Sequence, residues 1–145
     1  MSSRSTRCLC LVSSIASLAA VCSVSAATPA EQSPEQALQA YVDGLREGSL
    51  PKLQQLFLAD GQFCSVATKP TQRIDCRRFS EVLGSWVAKP DPGTNGRVLH
   101  RKDATPTMSA ITYELNFAGT EYIDQLLLYR FDGRWQVVAK TTTVQ

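Results

Sequence analysis

Residues Glu121–Lys140, EYIDQLLLYRFDGRWQVVAK, decide the fold. Asp132-Gly133 stands between two apolar runs, and Asp-Gly in that setting favours a two-residue type I′ turn, whose central residues both need positive φ. With those two as the loop, Phe131 opposes Arg134, and counting outward sets Asp124 against Thr141 and Gln125 against Lys140. Side chains alternate across a strand. One face therefore carries Tyr122, Asp124, Leu126, Leu128 and Arg130 with Trp135, Val137, Ala139, Thr141 and Thr143. The other carries Ile123, Gln125, Leu127, Tyr129 and Phe131 with Arg134, Gln136, Val138, Lys140 and Thr142. The first face is apolar in its middle, so it is expected to point inward, with Trp135 as a core anchor. On this reading Asp124 and Thr141 share an interior address, while Lys140 lies on the wetted face as a structural or edge-protecting residue. The plainer alternative leaves Asp124 as a strand-end acid in water.

The preceding strand, about Met108–Phe117, tests that placement. A three-residue connection through Ala118-Gly119-Thr120 would set Glu114 against Asp124, an unfavourable pair of like charges. A two-residue loop at Ala118-Gly119 sets Tyr113 there instead, where its hydroxyl can serve the carboxylate, and this is the preferred register.

Upstream, Ser33-Pro34-Glu35-Gln36 has the form of a helix start, with Ser33 as N-cap and Gln36 completing a capping box. Ala37, Leu38, Tyr41, Val42 and Leu45 mark one face, and Gly48 ends the helix. A second, short helix starts at Ser49 and Pro51, with Leu53, Leu56 and Phe57 inward, and Asp60-Gly61 stops it. Gln62–Thr68 reads as a strand, Lys69-Pro70 as a turn, and Ile74–Arg77 as a return strand. A third helix is expected around Ser80–Ala88, then an exposed loop through Pro90-Asp91-Pro92-Gly93, then a strand over Arg97–Lys102. Helices first and a strand meander last is an α+β pattern.

The N-terminus has a secretory layout: Arg4 and Arg7, an uncharged run over Cys8–Val24, then small residues. Residues 1–27 read as a cleaved signal peptide, with the cut after Ala26 or Ala27, 28–32 as a flexible tail and 33–145 as the domain. The run is too short and too rich in Ser and Ala to serve as a stable membrane anchor. A lipoprotein reading through Cys22 is weakened by Val21 before it. The expected location is the periplasm or the exterior. The full chain holds 15 Lys and Arg against 13 Asp and Glu. Loss of Arg4 and Arg7 brings the mature charge to zero, so nothing points to nucleic acid. Of five cysteines, Cys64 and Cys76 remain after the leader, and in an oxidising compartment an even pair implies a disulfide. Its loop would contribute roughly 3 kcal/mol. Two Cys and one His, His100, do not make a metal motif, and no cofactor signature is present.

YIDQLLLYRFDGRWQVVAK, with ALQAYVDGLREGSLPKLQQLF and ADGQF upstream, resembles the nuclear transport factor 2-like superfamily and, within it, the lumazine-binding-type proteins. The resemblance covers most of the mature chain. It implies a cone-shaped α+β fold, in which a curved antiparallel sheet wraps around about three N-terminal helices and leaves a pocket at its open end. The family name suggests a pterin- or flavin-like ligand. Some members of the superfamily are isomerases or cyclases that use pocket acids beside a carbonyl. The comparable residues here are Asp124, as the catalytic candidate, with Tyr41, Tyr113 and His100 as partners. An Asp in an apolar cavity can have its pKa raised, and a Tyr can stabilise an enolate. Phe63 and Ser65 stand where an isomerase-like base would be sought, a departure from that pattern. Tyr41 and His100 also have plain readings, as a packing residue and an ordinary strand histidine.

Three functions follow as expectations. The first is an exported binding module for a small aromatic or apolar ligand, with Asp124, Thr141, Tyr41, Tyr113 and His100 in the site. The second is an acid–base enzyme using Asp124. The third is a homodimerising or partner-binding domain using Tyr129, Phe131 and Val138.

Overall fold

Helix α1 spans Pro34–Glu47 and starts at the expected capping box: Ser33 Oγ accepts from Gln36 N and the Gln36 side chain accepts from Ser33 N. Its apolar stripe, Leu38, Tyr41, Val42 and Leu45, is buried, and Gly48 closes it in a left-handed conformation. The computed structural model describes residues 32–67 and 73–145. The expected leader, most of the expected tail and the expected turn at Lys69-Pro70 lie outside the described residues. Gln32, at the end of the expected tail, is held: its carbonyl accepts from Trp135 Nε1 at 3.0 Å.

Helix α2 (Leu50–Leu56) is shorter than expected, because Phe57 already opens strand β1 (Phe57–Ala67). Strand β2 (Arg73–Arg78) returns antiparallel and sets Cys64 against Cys76, which form a disulfide. Helix α3 (Phe79–Trp86) precedes β3 (Asn95–Thr105), β4 (Met108–Phe117), β5 (Thr120–Phe131) and β6 (Arg134–Val144). The six strands form one open, curved sheet in the order β2-β1-β6-β5-β4-β3 around the helices. The expected α+β cone is the observed architecture. All strand pairs are antiparallel except β1 with β6, which run parallel. Leu38, Leu53, Phe57, Phe79, Leu83, Ile111, Leu128 and Val137 fill the core between helices and sheet.

Both turns of the meander are tight. Asp132 and Gly133 have φ of 50° and 74°, and Ala118 and Gly119 have φ of 51° and 76°. The second is the two-residue loop, so Tyr113 pairs with Asp124 and Glu114 turns outward to Arg97.

The β5–β6 hairpin follows the counted register from Phe131–Arg134 to Leu128–Val137. Beyond that point Leu127 pairs with Ala139, leaving Val138 as an extra residue in β6. Asp124 therefore opposes Thr142, Gln125 opposes Thr141 and Leu126 opposes Lys140. A bulge of one residue reverses the facing of everything beyond it. The neighbouring strand meets the bulge at the same level, since β1 pairs regularly with β6 only from Gln62–Ala139 onward. Gly61 makes that approach feasible: a Cβ there would lie 2.6 Å from the Val138 carbonyl and 2.9 Å from the Phe79 ring.

Candidate functional site

The bulge overturns two expectations at once. Lys140, expected on the wetted face, is 4 % exposed, and Thr141, expected inside, is exposed on the other side of the sheet. Thr142 takes the inward place that counting had given to Thr141. His100 is also outside: it is exposed and pairs with outward-facing Thr112.

Asp124 is fully buried, so it is not a strand-end acid in water. Its Oδ1 accepts from Lys140 Nζ and from Thr142 Oγ1, both at 2.6 Å, and its Oδ2 accepts from Tyr41 OH at 3.3 Å. Three donors from α1 and β6 thus converge on one carboxylate of β5. Removing two opposite charges from water is costly, and such a pair persists only when close geometry and further hydrogen bonds offset that cost. The two hydroxyls supply those bonds. The ammonium is also surrounded by aromatic rings, with Nζ 5.0 Å from the centroid of Phe63, 5.3 Å from Trp86 and 5.9 Å from Tyr41. Each ring offers the negative face of its quadrupole to a cation, an interaction of about 0.5–2 kcal/mol.

Burial pulls the Lys140 ammonium below the ordinary lysine range, and Asp124 opposes that pull by charge and hydrogen bond. Burial, reinforced by the adjacent Asp124 charge, holds the Tyr41 hydroxyl well above its ordinary value. Tyr113 is pushed up to about 12, first by burial and then by Asp124. Its hydroxyl reaches the space left by the missing side chain of Gly96, where a Cβ would stand 2.4 Å from it. Tyr113 therefore senses the carboxylate through charge, while Tyr41 bonds to it.

In front of this cluster lies a cavity of about 220 Å³. Tyr41, Leu45, Phe63, Trp86, Leu115, Phe117 and Tyr122 wall it, and Lys140 and Thr142 supply its polar floor. Asp124 sits behind that floor, beneath Lys140, Thr142 and Tyr41. The expected pocket thus contains the expected acid only indirectly. The aromatic wall is closely packed: Trp86 meets Phe63 edge-on at 5.2 Å and Phe57 edge-on at 5.6 Å. Thr141 instead lines a cleft of about 300 Å³ on the outer face with Cys64, Ile123 and Gln125. Among the described residues no group of three His, Cys, Asp or Glu side chains could hold a metal ion, and no helix is long and apolar enough to cross a membrane.

Strict counting missed Lys140 and Thr142. The available signal was the run Val137-Val138-Ala139, where alternation of polar and apolar residues lapses, as it does where a strand carries an extra residue.

The chain matches the protein family described as "Putative lumazine-binding" over residues 30–142. No curated protein matches it significantly. Among solved structures it is similar to an NTF2-like protein of unknown function from Silicibacter pomeroyi, at 14% identity with a TM-score of 0.68, covering 77% of this chain and 92% of that one. An NTF2-like protein of unknown function from Methylobacillus flagellatus gives 18% identity and a TM-score of 0.64 over 77% and 88% of the two chains. A ketosteroid isomerase-like protein from Erwinia carotovora atroseptica gives 13% and 0.57 over 76% and 92%. At these identities the structural likeness concerns the fold, whereas the family match spans most of the sequence and runs through Tyr41, Asp124, Lys140 and Thr142. The chain belongs to the family described as putative lumazine-binding, and its fold is that of the NTF2-like proteins.

Proposed function

We propose that this protein is an exported domain that binds a small, largely apolar ligand in the cavity between α1, α3 and the inner face of the sheet. The observation that carries this reading is the Lys140–Asp124 pair, held at 2.6 Å at the floor of an aromatic-walled cavity. Small-molecule sites are mostly apolar concavities with a few polar groups that fix orientation, and this cavity has that composition. Its volume lies below the roughly 300–1,000 Å³ of sites for drug-sized ligands, which suits a molecule of one or two rings. The family description points to the same class of ligand. Export is supported by the leader-like sequence and is compatible with the disulfide.

A thermal-shift screen of aromatic heterocycles and small lipids tests the reading. Binders should raise the midpoint of the wild type and lose that effect in Leu115→Trp, which fills the cavity. Absence of any binder across both classes would reject it.

The acid–base enzyme reading draws on one observation: two titratable groups, Lys140 and Tyr41, lie within hydrogen-bond reach of Asp124. Against it, the carboxylate already accepts three hydrogen bonds and lies behind the floor, so it is poorly placed to take a proton from a ligand. Self-association through Tyr129 and Phe131, both exposed, is a separate proposal that sedimentation at high concentration decides.

A further inference from the structure

Among the described residues lining the cavity, Lys140 alone carries an amine. Asp124 is sealed behind the floor with no exposure, while Lys140 retains 4 % and faces an apolar space. Stability alone does not account for a charge there, since a buried pair commonly stabilises no more than apolar residues of the same volume. A desolvated lysine amine is, however, the side chain that attacks carbonyl carbon to form an imine. Burial already pulls Lys140 toward its neutral, nucleophilic form.

An amine that condenses with a carbonyl needs a base for its own protons and an acid for the departing oxygen. The floor supplies both through one atom. Asp124 Oδ1 lies 2.6 Å from Lys140 Nζ and 2.6 Å from Thr142 Oγ1, so it joins the nitrogen to a hydroxyl that lines the cavity. Tyr41 donates to the other oxygen, Oδ2, and burial keeps its proton in place. Charge is conserved as well. An iminium ion would carry the same charge at the same nitrogen as the ammonium, so Asp124 and the faces of Phe63, Trp86 and Tyr41 would serve it unchanged.

We infer that Lys140 is a nucleophile that captures a small, uncharged, apolar aldehyde as an imine, which rests on the binding role proposed above and gives it a substrate class. The aldehyde is uncharged because Lys140 is the one charged residue lining the cavity and Asp124 already balances it. Leu45, Leu115, Phe117 and Tyr122 receive its apolar part. Asp124 first takes a proton from the ammonium, and the freed lone pair forms a C–N bond as the carbonyl π pair moves to oxygen. That oxygen takes a proton from Thr142, which regains one from Asp124. Asp124 then accepts a second nitrogen proton and returns it through Thr142 as the C–O bond breaks. Water leaves, the nitrogen lone pair closes the C=N bond, and Asp124 ends as a carboxylate beside the iminium ion. In sum, ammonium and aldehyde give iminium and water, with no change of oxidation state.

Reductive trapping on the full chain tests this. The protein is incubated at neutral pH with benzaldehyde and sodium cyanoborohydride, which reduces an iminium ion to a stable amine, and the adducts are located by peptide mass mapping. Lys140 should be labelled about tenfold or more faster than Lys89 and Lys102, both exposed, because a surface ammonium yields only about one neutral amine in a thousand at neutral pH. Thr142→Val removes the relay hydroxyl and should slow labelling of Lys140 about tenfold, the loss expected for a proton-transfer group at the low end of its range. Thr142→Ser keeps the hydroxyl and should restore the rate, which a purely structural role for Thr142 would not require. Labelling of Lys140 no faster than that of Lys89 and Lys102, or equal rates in Thr142→Val and Thr142→Ser, would overturn the inference. If Lys140 stays unlabelled while benzyl alcohol, which has no carbonyl, raises the thermal midpoint, the inference falls and the binding role stands. If no fragment enters the cavity, both fall.

Discussion

The two halves of β6, on either side of Val138, show how one residue changes what a strand does. From Arg134 to Val137 the strand follows the register set by the Asp132-Gly133 turn, and its inward residues, Trp135 and Val137, join an apolar core. From Ala139 onward every position is displaced by one, and the inward residues are Lys140 and Thr142. The first half contributes burial of apolar area, on the order of 25 cal/mol per Å². The second half takes a cation into the interior, a cost that pairing with Asp124 offsets. The first half builds the apolar core and the second lines the candidate site with polar groups, and the bulge is the boundary between them.

The sharpest way to break this contrast is to leave the second half with an unpaired charge. Asp124→Ala should cost about 3–5 kcal/mol in urea denaturation, because the Lys140 ammonium would be stranded among Phe63, Trp86 and Tyr41. Asp124→Leu with Lys140→Met should recover most of that loss, since replacing both partners removes the buried charge altogether. If the single and double variants are equally unstable, the pair is not the feature that distinguishes the two halves.

A second approach is to move the boundary itself. Gly61→Val puts a side chain where the Val138 carbonyl and Phe79 ring already stand, and should cost about 1–3 kcal/mol as overpacking. Hydrogen exchange should quicken at Val138–Thr142 and stay slow at Arg134–Val137. Uniform quickening would show that the two halves do not respond separately.

Alkaline titration probes the buried hydroxyls around Asp124. Tyr41 and Tyr113 both have folded-state pKa values above the unfolded value of 10.0, Tyr113 at about 12. In the folded state they keep their protons where the unfolded chain has lost them. Their contribution to stability is therefore complete below pH 10 and declines as pH rises from 10 to about 12, with Tyr41 extending the decline further. Lys140 works in the opposite sense: its lowered folded value adds stability as pH rises toward the ordinary lysine range. Absorbance titration should show a late-ionising tyrosinate fraction that shrinks in Tyr113→Phe. No late fraction in the wild type would contradict the burial of this cluster.

The smallest effect is expected far from the bulge. Ala118 has a φ of 51°, with its N–H held by Asp91 Oδ2 at 2.8 Å. Ala118→Gly should stabilise by about 0.5 kcal/mol, because the relief of left-handed strain exceeds the added backbone entropy by a small margin. Both halves of β6 should be untouched, and a loss of stability would show that the turn is not strained.

Much of the fold was legible because its signals are local. Ser33 and Gln36 cap α1 by direct contact three residues apart, Asp-Gly selects its turn by backbone sterics, and Cys64 faces Cys76 once two short strands pair. The site was legible only up to its acid. Asp124 and Tyr113 were brought together by counting from a tight turn, which holds while the ladder stays regular. Tyr41 reached Asp124 through helix packing, which no spacing in the sequence encodes. Thr141 was assigned by parity, and parity fails beyond a bulge; His100 was drawn from the resemblance alone, and β3, which shifts between Val98 and His100, leaves it exposed.

By itself the sequence determined an α+β chain with a capped first helix, a disulfide-linked hairpin, two tight turns and one acid inside an apolar strand. Each of these depends on neighbours in the chain or on alternation over a few residues. Only the tertiary structure decided which cation meets that acid. β6 is paired on both edges, and accommodating β1 beside it at Gly61 coincides with an extra residue at Val138. That extra residue turns Lys140 inward and Thr141 outward, because a side-chain period of two allows no smaller change than a reversal of face.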